Sequence, residues 1–344
     1  ENPAAATARL AALAESPFPN SRYLDTQRGV AHYHQRELDA ARVHFERAMR
    51  ADPLRLDDLD VYSNLLYVSD ARAELSYLAK NAAKVDAYRP ESCVIAGNYY
   101  SARRMHARAV ASFQRALKLN RSYLPAWTLL GHELVELNNA PAAIAAYREA
   151  VRLNASDYRA WYGLGQAYEL LGLPAFTLYY FKRAAALRPS DARMWCAVGQ
   201  CYEDLTRDDD ARLCYERAEQ LDDGDEGVAV NRLAGVCLRL GRGGDAAAWY
   251  EEVMRRADGD ESDDEGGGGP GGRESVEAAE AMLFLARFRA EEGDWAGAER
   301  WARRVAEFGG VEREYAKGIL GEVEAARRRG GVGSAGTGAG EEGR

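Results

Sequence analysis

One spacing constrains this chain more than any other feature: Trp127, Trp161 and Trp195 stand 34 residues apart. Three further columns keep that period. Small residues recur at Gly29, Ser63, Gly97, Gly131, Gly165 and Gly199, and alanines at Ala48, Ala82, Ala116, Ala150, Ala184 and Ala218. A bulky ring, with one alanine among them, occupies Phe45, Ala79, Phe113, Tyr147, Phe181 and Tyr215. Four columns sharing one period over six units define a repeat array. No such unit buries its apolar face alone; stacking on its neighbours does that. Pro53 and Pro189 follow the second helix of their units, where proline ends one helix and leads into the next.

The pattern within a unit resembles the tetratricopeptide repeat, W-x2-L-G-x2-Y followed by A-x3-F and P. Trp161, Leu164, Gly165, Tyr168, Phe181, Ala184 and Pro189 match it, with Thr177 where the small alanine is usual. Trp195, Val198, Gly199, Tyr202, Ala211, Tyr215 and Ala218 form another copy. The expected fold is all-α: a tetratricopeptide-repeat right-handed superhelix, or α-solenoid, of antiparallel helices A and B. The small residues should sit where backbones approach closely, and the aromatics should fill the gap between successive units. Residues 1–21 read as a partial N-terminal unit and 22–256 as about seven repeats, the last of them (Leu233, Ala234, Gly241, Ala246, Tyr250) shifted by one inserted residue. Residues 257–273, acidic and Gly-rich with no apolar face, read as a disordered insertion. Residues 274–328 read as a last repeat and closing helix, and 329–344 as a disordered Gly-rich tail. Because the chain starts at Glu1 rather than Met, with an incomplete first unit, a fragment lacking N-terminal repeats is expected.

Composition narrows the function. A net charge of −9 disfavours a nucleic-acid partner and favours partners presenting basic segments. No run of 18 apolar residues occurs, so no membrane partner is expected. Cys93, Cys196, Cys201, Cys214 and Cys237 fit no zinc or disulfide spacing and read as packing residues in a reducing compartment. His32, His34, His44, His106 and His132 form no H-E-x-x-H pair, and His32 and His34 at i and i+2 do not face one another on a helix. Gly163-Leu-Gly165 lies inside a repeat helix and lacks the third glycine of a dinucleotide loop. No G-x-S-x-G elbow is present. The expectation is no enzyme, no catalytic residue, no metal and no cofactor.

In the tetratricopeptide fold helix A lines the concave face, so the resemblance implies which side chains look inward. The residue after each small one is Val30, Asn64, Asn98, His132, Gln166 or Gln200, five of the six able to hydrogen-bond an extended peptide. Three positions on, Tyr67, Glu169 and Glu203 continue the stripe, flanked by Glu136 and Asp204; Arg159 and Tyr162 precede it. The twelve of these other than Val30 are the candidate groove. Its carboxylates, Glu136, Glu169, Glu203 and Asp204, suit a bidentate pair with an arginine of a bound peptide. The plainer reading is a solvated polar helix face. A different class, a co-chaperone or adaptor gripping acidic peptide tails, needs a Lys/Arg clamp, for which Arg159 is the main candidate.

Longer strings are more specific than the repeat. Ser63-Asn-Leu-Leu-Tyr-Val68, Ala73-Glu-Leu-Ser-Tyr-Leu-Ala79, Gly97-Asn-Tyr-Tyr-Ser101, Phe113-Gln-Arg-Ala-Leu-Lys-Leu-Asn120, Ala126-Trp-Thr-Leu-Leu-Gly-His-Glu133 and Asp157-Tyr-Arg-Ala-Trp-Tyr-Gly-Leu-Gly-Gln166 resemble subunit 8 of the anaphase-promoting complex, or cyclosome. The resemblance is close over about residues 22–255 and loose beyond. It implies a non-catalytic scaffold of a cell-cycle ubiquitin ligase, in the nucleus and cytoplasm. The implied partners are a coactivator peptide, the C-box with its essential arginine, and other cyclosome subunits. It also implies a homodimer through N-terminal repeats, which this chain would largely lack.

Overall fold

The computed structural model of the chain describes residues 9–10, 22–221, 228–259, 276–306 and 311–334. Every regular element among them is a helix. Helices A and B alternate as α1 (Arg22–His34), α2 (Leu38–Ala51), α3 (Leu59–Val68), α4 (Arg72–Val85), α5 (Pro90–Ala102), α6 (His106–Leu119), α7 (Leu124–Glu136), α8 (Ala140–Leu153), α9 (Tyr158–Leu170) and α10 (Pro174–Leu187). They continue as α11 (Ala192–Asp204), α12 (Asp208–Gln220), α13 (Val228–Arg239), α14 (Gly243–Gly259), α15 (Val276–Glu291), α16 (Trp295–Ala306) and α17 (Val311–Ser334). The chain divides into two compact units, Glu1–Arg188 and Pro189–Arg344. The first holds the pairs α1/α2 to α9/α10. The second holds α11/α12 to α15/α16, with α17 lying on α15 and α16. Within each unit every helix B also packs on the following helix A. This is the all-α tetratricopeptide α-solenoid that the period requires.

Local chemistry sets each boundary. Helix A ends on a left-handed residue, at Arg36, Asp70, Arg104, Asn138, Gly172 and Thr206, again 34 apart, then at Gly241 and Gly293. The next N–H donates to a carbonyl five residues back, as Asn139 to Leu134 (2.8 Å) and Leu173 to Tyr168 (3.1 Å). That bond is the Schellman closure, which satisfies carbonyls the helix end leaves open. Helix B ends in Asx turns: the side chains of Asp52, Asp86, Asn120 and Asn154 each accept from the backbone N–H two residues on. The tryptophans tie down the loops that follow. Trp127, Trp161 and Trp195 donate their indole N–H to the carbonyls of Arg121, Ala155 and Pro189, at 2.8–2.9 Å.

The small-residue column packs against the ring of its own pair. A Cβ on Gly97 would stand 2.3 Å from Phe113 Cε1, one on Gly131 2.5 Å from Tyr147 Cε1, and one on Gly165 2.3 Å from Phe181 Cδ1. Each ring lies over the glycine sixteen residues before it, on its partner helix. Tyr147 additionally reaches the next unit, where a Cβ on Gly163 would stand 2.3 Å from its Cζ. The second pair swaps volumes. Ser63, fully buried, replaces the glycine, and Ala79 replaces the ring. Tyr62 stacks near Phe45 at 5.2 Å beside them.

Two expected boundaries are corrected. Helix α14 runs to Gly259, into the segment read as a disordered insertion from 257, and α17 runs to Ser334, past the expected tail start at 329. Helix propagation is cooperative, and Glu-Ala-Ala-Arg-Arg-Arg before Gly330 is strongly helix-forming, so the helix passes the glycines. The remainder of the insertion and tail, and most of the partial unit at 1–21, lie outside the described residues.

Candidate peptide-binding surface

The candidate residues divide by what they already touch. Asn98 is buried: its amide nitrogen donates to both Asn64 Oδ1 and Ser63 Oγ, each at 2.7 Å, between α3 and α5. Ser63 in turn donates to the Asp60 carbonyl at 2.7 Å. An asparagine amide nitrogen has two hydrogens, and both are spent here. The expectation of Asn98 as a donor to a bound peptide is corrected: it ties one helix A to the previous one.

His132 is half-buried, and its Nδ1 lies 2.8 Å from the Tyr147 hydroxyl. Burial first, then the charge of Arg159, holds its pKa down to about 4, while burial and then Glu133 push the Tyr147 hydroxyl up. At neutral pH the imidazole is therefore uncharged, and it shares one hydrogen bond with the Tyr147 hydroxyl. Arg159 Nε and Nη2 are 3.0 and 3.4 Å from the two oxygens of buried Asp157, which also caps α9 by accepting the Arg159 N–H. The same guanidinium depresses His34, after burial and together with Arg188. The charge of Arg159 thus acts on side chains of both α1 and α7. Tied to Asp157, Arg159 makes a weak clamp for an acidic tail. Tyr162 is engaged too, stacked on Phe181 with centroids 4.8 Å apart.

Glu203 is the second correction. Arg239 Nη2 donates to its Oε2 at 2.6 Å, and the Tyr215 hydroxyl donates to its Oε1. Arg239 also reaches Asp208 at 2.9–3.0 Å. The arginine that Glu203 was expected to take from another protein comes instead from α13 of its own chain. Gln166 is half-buried, and Tyr67, Glu136, Glu169, Gln200 and Asp204 are exposed. Tyr67, Glu136 and Glu169 lie near the C-terminal ends of α3, α7 and α9 in the first unit; Gln200 and Asp204 lie on α11 in the second.

Two buried carboxylates escaped the reading of the sequence. Glu133 on α7, 6% exposed, accepts from Ser101 Oγ at 2.6 Å and meets His106 Nδ1 at 2.9 Å. Its column elsewhere holds Ala31, Leu65, Tyr99, Ala167 and Cys201. A carboxylate in that column was the available signal. Asp60 accepts from the Tyr123 hydroxyl at 2.7 Å, binding the start of α7 to α3 across an intervening pair. Burial raises the pKa of both groups. Among the described residues no three His, Cys, Asp or Glu side chains gather as a metal site. No helix there is long and apolar enough to cross a membrane. Burial pushes the Cys93 and Cys237 thiols up, as inert packing residues require.

Paired helices with this register define a class. Residues 90–123 and 179–226 match tetratricopeptide-repeat families, and 131–172 match a further TPR-repeat family. The chain contains tetratricopeptide repeats. It resembles one member of that class in particular. It is 52% identical over 312 residues to anaphase-promoting complex subunit 8 of Arabidopsis thaliana, covering 90% of this chain and 52% of that protein. It is 51% identical over 311 residues to the Dictyostelium discoideum subunit 8, covering 90% and 50%. The resemblance carried by the segments between Ser63 and Gln166 therefore holds, and the chain spans about half the length of these relatives. In fold it is similar to a chain in the crystal structure of the APC/C hetero-tetramer Cut9–Hcn1, with a TM-score of 0.63 and 14% identity over 92% of this chain and 58% of that one.

Proposed function

We propose that this chain is a non-catalytic scaffold segment of an anaphase-promoting-type ubiquitin ligase, acting in cell division in the nucleus and cytoplasm. It holds neighbouring subunits and receives the arginine-containing C-box of a coactivator on its A helices. Similarity to subunit 8 over nine-tenths of the chain supports the scaffold role. One observation carries the peptide reading: Tyr67, Glu136 and Glu169 stand exposed near the C-terminal ends of the A helices α3, α7 and α9, while Arg159 is already tied to Asp157. An arginine entering this stripe finds carboxylates, and a phenol ring for its apolar stem.

Fluorescence anisotropy with a labelled C-box peptide tests this. Wild type should bind it, and the same peptide with its arginine replaced by alanine should bind far more weakly. Glu136→Gln with Glu169→Gln should cost about 2–5 kcal/mol if the pair is desolvated. Equal binding by wild type and double variant would remove the stripe from the account. A homodimer through N-terminal repeats belongs to the same proposal, with sedimentation of a longer chain as its test.

A further inference from the structure

The α9/α10 pair carries an array of rings of which Trp161, Tyr168 and Tyr180 pack against the core, while Phe176 and Tyr179 stand open beside them. Phe176, Tyr168, Tyr180 and Trp161 form an unbroken row, with centroid steps of 5.5, 5.0 and 6.1 Å and interplanar angles of 20°, 11° and 30°. Tyr179 stands edge-on to Tyr180 at 5.1 Å. Phe176 and Tyr179 are 54% and 52% exposed. Rings left this open in a contiguous group mark an interaction surface more often than isolated surface hydrophobes do.

Two arginines border the row. Arg148 of α8 donates to the Tyr168 hydroxyl at 2.8 Å, and the Arg183 guanidinium lies 5.7 Å from the centre of the Trp161 ring. Neither guanidinium has a carboxylate partner among the described residues, whereas about half of the described arginines have one. Helix α10 itself contains Lys182 and Arg183 and no Asp or Glu, in a chain of net charge −9. An arginine over a ring and one bonded to a phenol are each pre-positioned, so less freedom is lost when an anion arrives. Aromatic rings and arginine are also the residue types that dominate binding energy at interface centres.

We propose that this ring row is a docking surface for an acidic peptide segment of another protein bearing large apolar side chains. The apolar residues lie on Phe176, Tyr179 and Tyr180, and the carboxylates pair with Arg148 and Arg183. Charge complementarity selects this occupant: a basic segment meets two unpaired guanidiniums and is repelled. The surface accepts the opposite charge to the carboxylate stripe of the A helices, so one chain would sort two kinds of segment.

The test uses the whole chain and two synthetic probes of about fifteen residues, one alternating Phe/Leu with Asp/Glu, the other identical but with Lys for each acid. Binding is read by anisotropy and by Trp emission. The acidic probe should bind at least tenfold tighter than the basic one. Arg148→Glu with Arg183→Glu should reverse that preference, and Phe176→Ser with Tyr179→Ser should weaken both probes, with circular dichroism unchanged in every variant. Equal affinity for the two probes, or a preference that survives the charge reversal, would overturn the proposal. So would sedimentation showing that the chain self-associates through these rings, or tighter binding of a single-stranded oligonucleotide than of the acidic peptide.

Discussion

The reciprocal packing of Gly97 and Phe113 makes a strong prediction, because the second pair already shows its alternative. In the third pair a Cβ on Gly97 would stand 2.3 Å from Phe113 Cε1. That is about 1.2 Å inside ordinary carbon contact of ~3.5 Å. Gly97→Ser should therefore overpack and destabilise by about 1–3 kcal/mol, even though serine favours helix slightly over glycine. Phe113→Ala empties a fully buried site and should cost about 3–5 kcal/mol. The two together recreate Ser63 over Ala79, an arrangement the chain folds around in the second pair. Their cost should fall short of the sum by about 1–3 kcal/mol, as expected for residues in contact. Urea unfolding of the wild type, both single variants and the double variant, followed by circular dichroism, closes the cycle. Strict additivity would refute the reasoning, because it would mean the glycine and the ring do not compete for one volume.

Four further outcomes follow from the same structure. Gly165→Leu should lower the unfolding midpoint more than Gly235→Leu, since a Cβ on Gly165 would lie 2.3 Å from Phe181 while one on Gly235 meets nothing within 4 Å; comparable midpoints would contradict the register. Thr206 holds φ at 55°, where a β-branched residue costs about 1–2 kcal/mol, so Thr206→Gly should stabilise by about 0.5–1 kcal/mol net of the glycine entropy cost in urea unfolding. His132 has a folded pKa near 4, below its unfolded value of about 6.5. The unfolded chain therefore binds the extra proton, and stability is intact above pH 6.5 and lost progressively down to pH 4, by roughly 3 kcal/mol; His132→Asn should flatten that part of the stability–pH curve. Arg239→Ala releases Glu203 from its internal partner and should strengthen binding of an arginine-containing peptide to the second unit, measured by calorimetry, whereas unchanged affinity would show that Glu203 has no access to the peptide.

The period was legible because the residues that carry it are chemically conspicuous: a tryptophan, a glycine and a ring cannot exchange places without clashes such as those at Gly97 and Gly165. The left-handed column has the same period and was invisible, since Arg36, Asp70, Arg104, Asn138, Gly172 and Thr206 share a backbone shape and no side-chain type. Much of the candidate surface was legible only as a list of A-helix positions. Whether a polar side chain there faces solvent or a partner depends on residues about 34 positions away. Asn98 finds Asn64, Glu203 finds Arg239 and Glu133 finds Ser101, and no local pattern announces such pairs. Glu133 was the exception, visible as a charge in an otherwise uncharged column.

Photo-crosslinking tests the central claim most directly. A C-box peptide carrying benzoylphenylalanine beside its arginine is bound to the chain, irradiated and digested, and the attachment points are read by mass spectrometry. The account predicts attachment on the A helices, within α7 and α9 around Glu136 and Glu169. Attachment on B helices, or on the ring row of α10, would contradict it.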